Sequence, residues 1–368
     1  MLASERTVRL LAIAVAAALV ALAAPVAAFG DSGTVYTSTN SATANAIQAF
    51  DRAPDGSLAP AGSFPTGGTG TGEGLGSQGA VVLDDRGERL FAVNAGSDSI
   101  SSFEANQRGL RLNDIEPSSG DRPISLTVHG ALLYVLNAGS DQISGFRIRG
   151  GGDLEPLAGS TRNLSGVGSD PAQVEFSPRG DLLVVTEKAT NRIDTFQIGG
   201  DGRPGQVNSQ PSAGETPFGF AFDKRDNLIV SEAFGGAPNA SALSSYDVAA
   251  DGGLAPISPV VHTGQTAACW VVVTQNGRFA YTTNTDSASI SSYTIDRDGS
   301  IALLESIAAN TGAGSTPTDM ALDDSGHLFV LNPGAGTVAA YRIRGDGSLV
   351  PVDVAGGLPA ASTGLATN

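Results

Sequence analysis

A short apolar strand ending in Asn or Glu recurs seven times along this chain, and that recurrence restricts the fold more than any other feature. It reads VYTSTN ending at Asn40, LFAVN at Asn94, LYVLN at Asn137, LVVTE at Glu187, LIVSE at Glu232, FAYTTN at Asn284 and LFVLN at Asn332. Behind each comes a second apolar segment: AIQAF, SISSF, QISGF, RIDTF, ALSSY, SISSY and TVAAY. A turn follows, clearest as Asp-Gly at 55–56, 201–202, 251–252, 298–299 and 346–347. Asp-Gly marks a tight hairpin because glycine takes positive φ without steric cost. A weaker outer strand runs on, and a further strand (AVVLD, SLTVH, QVEFS, GFAFD, WVVVT, DMALD) opens each next unit. Four short antiparallel strands per unit of this length are the period of a β-propeller blade. No helical periodicity appears after residue 30. The expected fold is all-β: one seven-bladed β-propeller over 34–368, four antiparallel strands per blade.

The two chain ends predict how the ring closes. The C-terminal STGLATN matches the first strand of a unit, as in PTDMALD, and Asp31-Ser32-Gly33 sits where Asp324-Ser325-Gly326 sits. The N-terminal segment should therefore supply the second strand of blade 1 and the C-terminal one its innermost strand. Pairing both ends in one sheet removes an open edge.

Residues 1–28 read as an export signal. Arg6 and Arg9 precede the apolar run Leu10–Ala24, and small residues follow at Val26-Ala27-Ala28. That is the order of a secretory signal, cut after Ala28, with 29–33 as a short leader. The alternative is an uncleaved anchor, since the run approaches spanning length. The mature chain is expected to be secreted, monomeric and outside the membrane. With 21 Lys+Arg against 37 Asp+Glu, the full chain's net charge of −16 repels phosphates, so no nucleic-acid partner is expected. A single cysteine allows no intrachain disulfide and no CxxC metal site.

Repetition also sorts candidates for function. A residue present in most units is architectural; a departure on the face that gathers the second-to-third loops and the inter-blade crossings is a candidate. The Asn positions read as Asx-turns. Glu187 and Glu232 break that pattern in adjacent blades, as an acid/base pair, a cation site or a hydroxyl clamp, against solvated loop carboxylates. Lys188 follows Glu187. Gln173 opens the inner strand of blade 4, in register with Trp270 of blade 6 and Asp319 of blade 7, while Phe218 begins that strand in blade 5. These five residues are the candidate substrate-binding set. Cys269 has no neighbouring His to activate it. The three histidines, His129, His262 and His327, miss this face, which argues against a Ser-His-Asp triad or a His-based metal site. Two long loops, the Gly-rich 66–77 and 234–241, are expected on the same face as rims or lids.

The units Ser177-Pro178-Arg179-Gly180 through Glu187, Ile290 through Gly299, and Leu328 through Asn332 resemble the lactonase-type seven-bladed propeller family. That family includes propeller-type 6-phosphogluconolactonase and the fungal carboxymuconate lactonising enzyme. The resemblance covers nearly all of 34–368. It implies a lactone hydrolase with a Glu at the end of a second strand, carried here to Glu187. The family's cytosolic enzymes carry a His after Pro at the start of an inner strand; here that stretch is Pro171-Ala172-Gln173. Two expectations follow. One is a secreted hydrolase in which Glu187 or Glu232 activates water against a lactone or carbohydrate-like ring ester. The other is a non-catalytic propeller that binds a glycan, a peptide or an envelope component. No cofactor is called for; a calcium-dependent hydrolase is a lesser variant.

Overall fold

The computed structural model describes residues 32–106 and 108–368. The segment read as an export signal and most of the short leader lie outside the described residues. Seven antiparallel sheets follow one another around a ring. In blade 4, for example, Pro171–Phe176, Leu182–Glu187, Arg192–Gln197 and Asn208–Pro211 run from the central channel outward. The alternation of small and bulky residues in the sequence follows from this stacking. Both faces of each sheet pack on neighbouring blades, so Leu182–Glu187, Phe279–Asn284 and His327–Asn332 are buried along their whole length.

Closure is as the terminal segments predicted. Thr363–Thr367 is the innermost strand of blade 1 and pairs with Gly33–Ser38, in register Val35 with Thr367 and Tyr36 with Ala366. A second fastening lies beside it. Arg52, on the third strand of blade 1, meets Asp323 of blade 7 at 3.1 Å, with 3% and 0% of the two side chains exposed. It also donates to the Asn368 carbonyl at 3.1 Å.

Two departures from the repeat have local causes. In blade 3 the outer strand is split into Leu154–Pro156 and Arg162–Asn163. Between them Ser160 Oγ accepts from Gly145 N and donates to Gly145 O, standing in for the missing ladder. The second departure is a single 3-10 turn at Phe234–Gly236, in the long loop after Glu232.

A hairpin residue that the sequence did not flag recurs as a clasp. Asp98, Asp141 and Asn191 sit at positive φ at the second-to-third turns of blades 2, 3 and 4. Each side chain accepts a backbone N–H from the crossing into the next blade: Arg122 at 2.7 Å, Ser169 at 3.1 Å and Thr216 at 2.6 Å. Asp and Asn tolerate the left-handed region and carry a short acceptor, which is why they hold this position.

Candidate functional site

The Gly-rich loop, expected on this face as a rim or a lid, crosses the channel mouth. Its end, Gly76-Ser77-Gln78, belongs to the crossing into blade 2 but bonds to blades 3, 4 and 6. Ser77 Oγ donates to the Ile124 carbonyl at 2.8 Å, and Gln78 N donates to the Ala172 carbonyl at 3.1 Å. The Gln78 amide clasps Val271 in both directions, donating to its carbonyl at 2.8 Å and accepting from its N–H at 3.0 Å. Gly219 makes room for it, since a Cβ there would lie 2.3 Å from Gln78 Oε1.

Three of the sequence-selected residues meet beneath this plug. Trp270 donates Nε1–H to the Ser77 carbonyl at 2.9 Å and lays its ring 4.9 Å from that of Phe218. Lys188 Nζ sits 4.9 Å over the Phe218 ring, donates to the Gly76 carbonyl at 2.8 Å and pairs with Asp170 at 3.4 Å. Burial pulls the Lys188 ammonium below its usual range, with Asp170 opposing. Phe218 and Trp270 are 7% and 6% exposed, so the cluster works as the floor of the plug. Cys269, beside it, is buried, and burial pushes its thiol up to about 12; it is no nucleophile.

Below the plug the channel holds a cavity of about 400 Å³. Two more selected residues line it, Gln173 and Asp319, together with Gln78 and Glu175. The Gln173 amide accepts from Phe220 N at 2.7 Å and donates to the Phe220 carbonyl at 3.0 Å and to Glu175 Oε2 at 2.7 Å. It bridges two inner strands that diverge around the ring, and the same bonds aim Glu175. Burial pushes the Glu175 carboxyl up to about 8, opposed by Gln173. Asp319 accepts from Gly364 N at 3.0 Å, and burial pushes it up to about 7. No cation pairs with either acid among the described residues. The cavity is approached from the first-to-second turns. There Val82, Val128, Glu175, Phe222 and Leu322 are part-exposed, whereas Ala80, Ile124 and Ala172 at the plugged end are buried.

Glu187 and Glu232 are not brought to this cavity or to each other. Both are fully buried in separate seams between blades. Glu187 Oε1 accepts from Ser165 N and Ser165 Oγ, both at 3.1 Å, and its other oxygen from Thr190 Oγ1. Glu232 Oε1 accepts from Gly214 N at 2.8 Å, Ser244 Oγ at 2.7 Å and Ser212 Oγ at 3.3 Å. Burial raises both carboxyls. The Asn residues at the same position do similar work and bond beyond their own turns. Asn94 donates to Ser99 Oγ and Ser101 Oγ at 3.2 and 2.8 Å and accepts from Thr66 Oγ1 at 2.7 Å. In blades 2 to 5 the position pins the crossing segment that enters the blade. Among the described residues, no group of three or more His, Cys, Asp or Glu is placed to hold a metal ion.

The family model for "Lactonase, 7-bladed beta-propeller" matches residues 44–167, 80–233 and 232–359. The chain belongs to this lactonase family. Solved structures with the same fold include a candidate 6-phosphogluconolactonase from Bacteroides fragilis, at 18% identity and TM-score 0.74 over 92% of this chain and 98% of that one. The periplasmic gluconolactonase of Pseudomonas aeruginosa matches at 15% identity and TM-score 0.73 over 92% and 99%. Virginiamycin B lyase from Staphylococcus aureus is more distant, at 14% identity and TM-score 0.54 over 74% and 83%. No curated protein matches. Within this lactonase-family ring, the stretch where the resemblance calls for a His carries Gln173, whose amide is spent on the Phe220 backbone and on Glu175. Glu175 and Gln78 carry most of the site's geometry, yet neither breaks the repeat in a way that sets it apart. Their signal is convergence from different blades.

Proposed function

We propose that the protein is an exported lactone hydrolase that takes its substrate into the central channel. The carrying observation is that Glu175 and Asp319, two acids with no cationic partner among the described residues, line one cavity of about 400 Å³ in a member of the lactonase family. The cavity suits a single small ring. Its two carboxyls are held at different points, about 8 for Glu175 and about 7 for Asp319. Burial raises both, and the weaker acid of the two, Glu175, is assigned as the proton donor and Asp319 as the base. Asp319 takes a proton from water as the water oxygen bonds to the ring carbonyl carbon. Glu175, aimed by Gln173, gives its proton to the ring oxygen as the acyl C–O bond breaks. The product is the open hydroxy acid; Asp319 then releases its proton to solvent and Glu175 takes one up, which resets the pair.

The test is a panel of γ- and δ-lactones of hydroxylated acids against wild type, Glu175→Gln, Asp319→Asn, Glu187→Gln and Glu232→Gln. Loss of a general acid or base is expected to cost about 10²–10⁴-fold in kcat for the two channel variants. Unchanged rates in both channel variants would refute the assignment, and a selective loss in Glu187→Gln or Glu232→Gln would move the chemistry to the seams. A non-catalytic binding role has one observation in its favour, the structural use of Gln173 where the resemblance calls for a His. Saturable binding of a panel lactone with no turnover would establish it.

A further inference from the structure

Glu187 has a second acid beside it. Where the equivalent position of blades 2, 3, 5 and 6 holds Ser101, Ser144, Ser244 and Ser291, blade 4 holds Asp194. Its side chain is fully buried. Ser165 N donates to both acids at once, to Glu187 Oε1 at 3.1 Å and to Asp194 Oδ2 at 2.7 Å. Two oxygens that share one N–H are close to each other. Asp194 Oδ1 is buried and meets no donor among the described residues. Two carboxylates offer only acceptors, whereas a carboxylic acid offers a donor as well, the pattern Asn supplies in other blades.

We infer that Glu187 and Asp194 hold one proton between them in the folded protein, and that this proton fastens the crossing segment Ser165–Gly168 onto blade 4. The segment is a thin cover. Ser165 is exposed, and Val167, 99% exposed, is the most solvent-facing large apolar residue described. Other charged groups packed nearby are engaged elsewhere. Arg192 donates to Ser209, Arg162 to the carbonyls of Gly159, Thr161 and Gly205, and Lys188 to Gly76 and Asp170. Asp141 accepts from Gly168 and Ser169 and adds negative charge beneath the cover. None of these gives either acid an ion pair among the described residues. Burial, then the neighbouring Asp194, raises the Glu187 carboxyl toward neutrality.

The sign follows from the proton count. The closed cover binds one more proton than the open one, so the open population grows as pH rises through the interval between the ordinary carboxylate range and the raised value. Over that interval, proteolysis beside Val167 by an elastase-type enzyme should climb by up to about tenfold per pH unit relative to Asp194→Asn, then level off. Asp194→Ser, the residue of the other blades, guards against a folding defect in Asn and should behave likewise. A ratio that stays flat with pH overturns the inference. Restored protection on adding calcium chloride at high pH overturns it too, since a cation would then be the fastener. A check free of variants is carbon-13 titration of the wild-type Asp and Glu carboxyls. The pair should titrate in two steps separated by more than about one unit, and joint ionisation in the ordinary carboxylate range would end the proposal.

Discussion

Glu175 and Asp319 set the pH behaviour expected of the channel. In the proposed hydrolysis Asp319 must be ionised to take a proton and Glu175 protonated to give one. Activity should rise with pH through about 7, as Asp319 loses its proton, and fall through about 8, as Glu175 does. A pH–rate profile of kcat/KM on a good lactone checks this; Glu175→Gln should abolish the alkaline limb and leave the acid one. Asp319 and Gln173 stand out in the sequence because they put a carboxylate and a long amide where other blades have the small Ala80, Ser125 and Gly219. Glu175 does not, because a carboxylate two residues along an inner strand looks like any half-exposed strand residue. Its role depends on burial by the rest of the ring. Glu187 and Glu232 show the opposite case. They break the repeat most plainly, yet each fills the place of Asn in its blade. A change of residue type within a repeat reports a change in local bonding, which need not reach a ligand.

At the level of elements, the loop 66–77 decides which face of the channel is open. A run of glycines with Thr and Ser is legible as a long loop, but where it lies is set by contacts with three other blades, which no local pattern encodes. The plug carries its own probe, because Trp270 is the only tryptophan in the chain and bonds directly to Ser77. Replacing Gln78 by Ala removes both bonds to Val271 and should admit water to the indole. The expected outcome is a red shift of intrinsic fluorescence and stronger quenching by iodide, with the far-ultraviolet circular dichroism unchanged. An emission spectrum identical to wild type would show that Gln78 does not hold the plug.

For the whole molecule, the ring was the most legible feature. Seven copies of a short motif at near-constant spacing leave little other than a propeller, and the similarity of the two chain ends to adjacent strands of one unit gave the closure. What the repeat does not disclose is the ionic clasp beside that closure, because Arg52 and Asp323 are far apart in sequence and look like ordinary turn residues. Both charges are buried; without Arg52, Asp323 keeps the His327 ring and the Ser325 and His327 N–H groups but loses its guanidinium counter-charge. Arg52→Met should cost about 3–5 kcal/mol of folding stability, read from urea unfolding, whereas adding Asp323→Asn, which removes the unpaired charge and keeps an acceptor for the Ser325 and His327 N–H groups, should recover part of that loss. An Arg52→Met variant as stable as wild type would show that the paired terminal strands close the ring unaided.

The plug makes the channel a blind well. In the proposed hydrolysis, reactant and product would share one doorway, on the side of the disc away from Trp270, and a molecule of spent acid would have to leave before another ring could enter. The hydroxy acid should therefore compete directly with its parent lactone, and slow departure would cap turnover however fast the bond itself is broken.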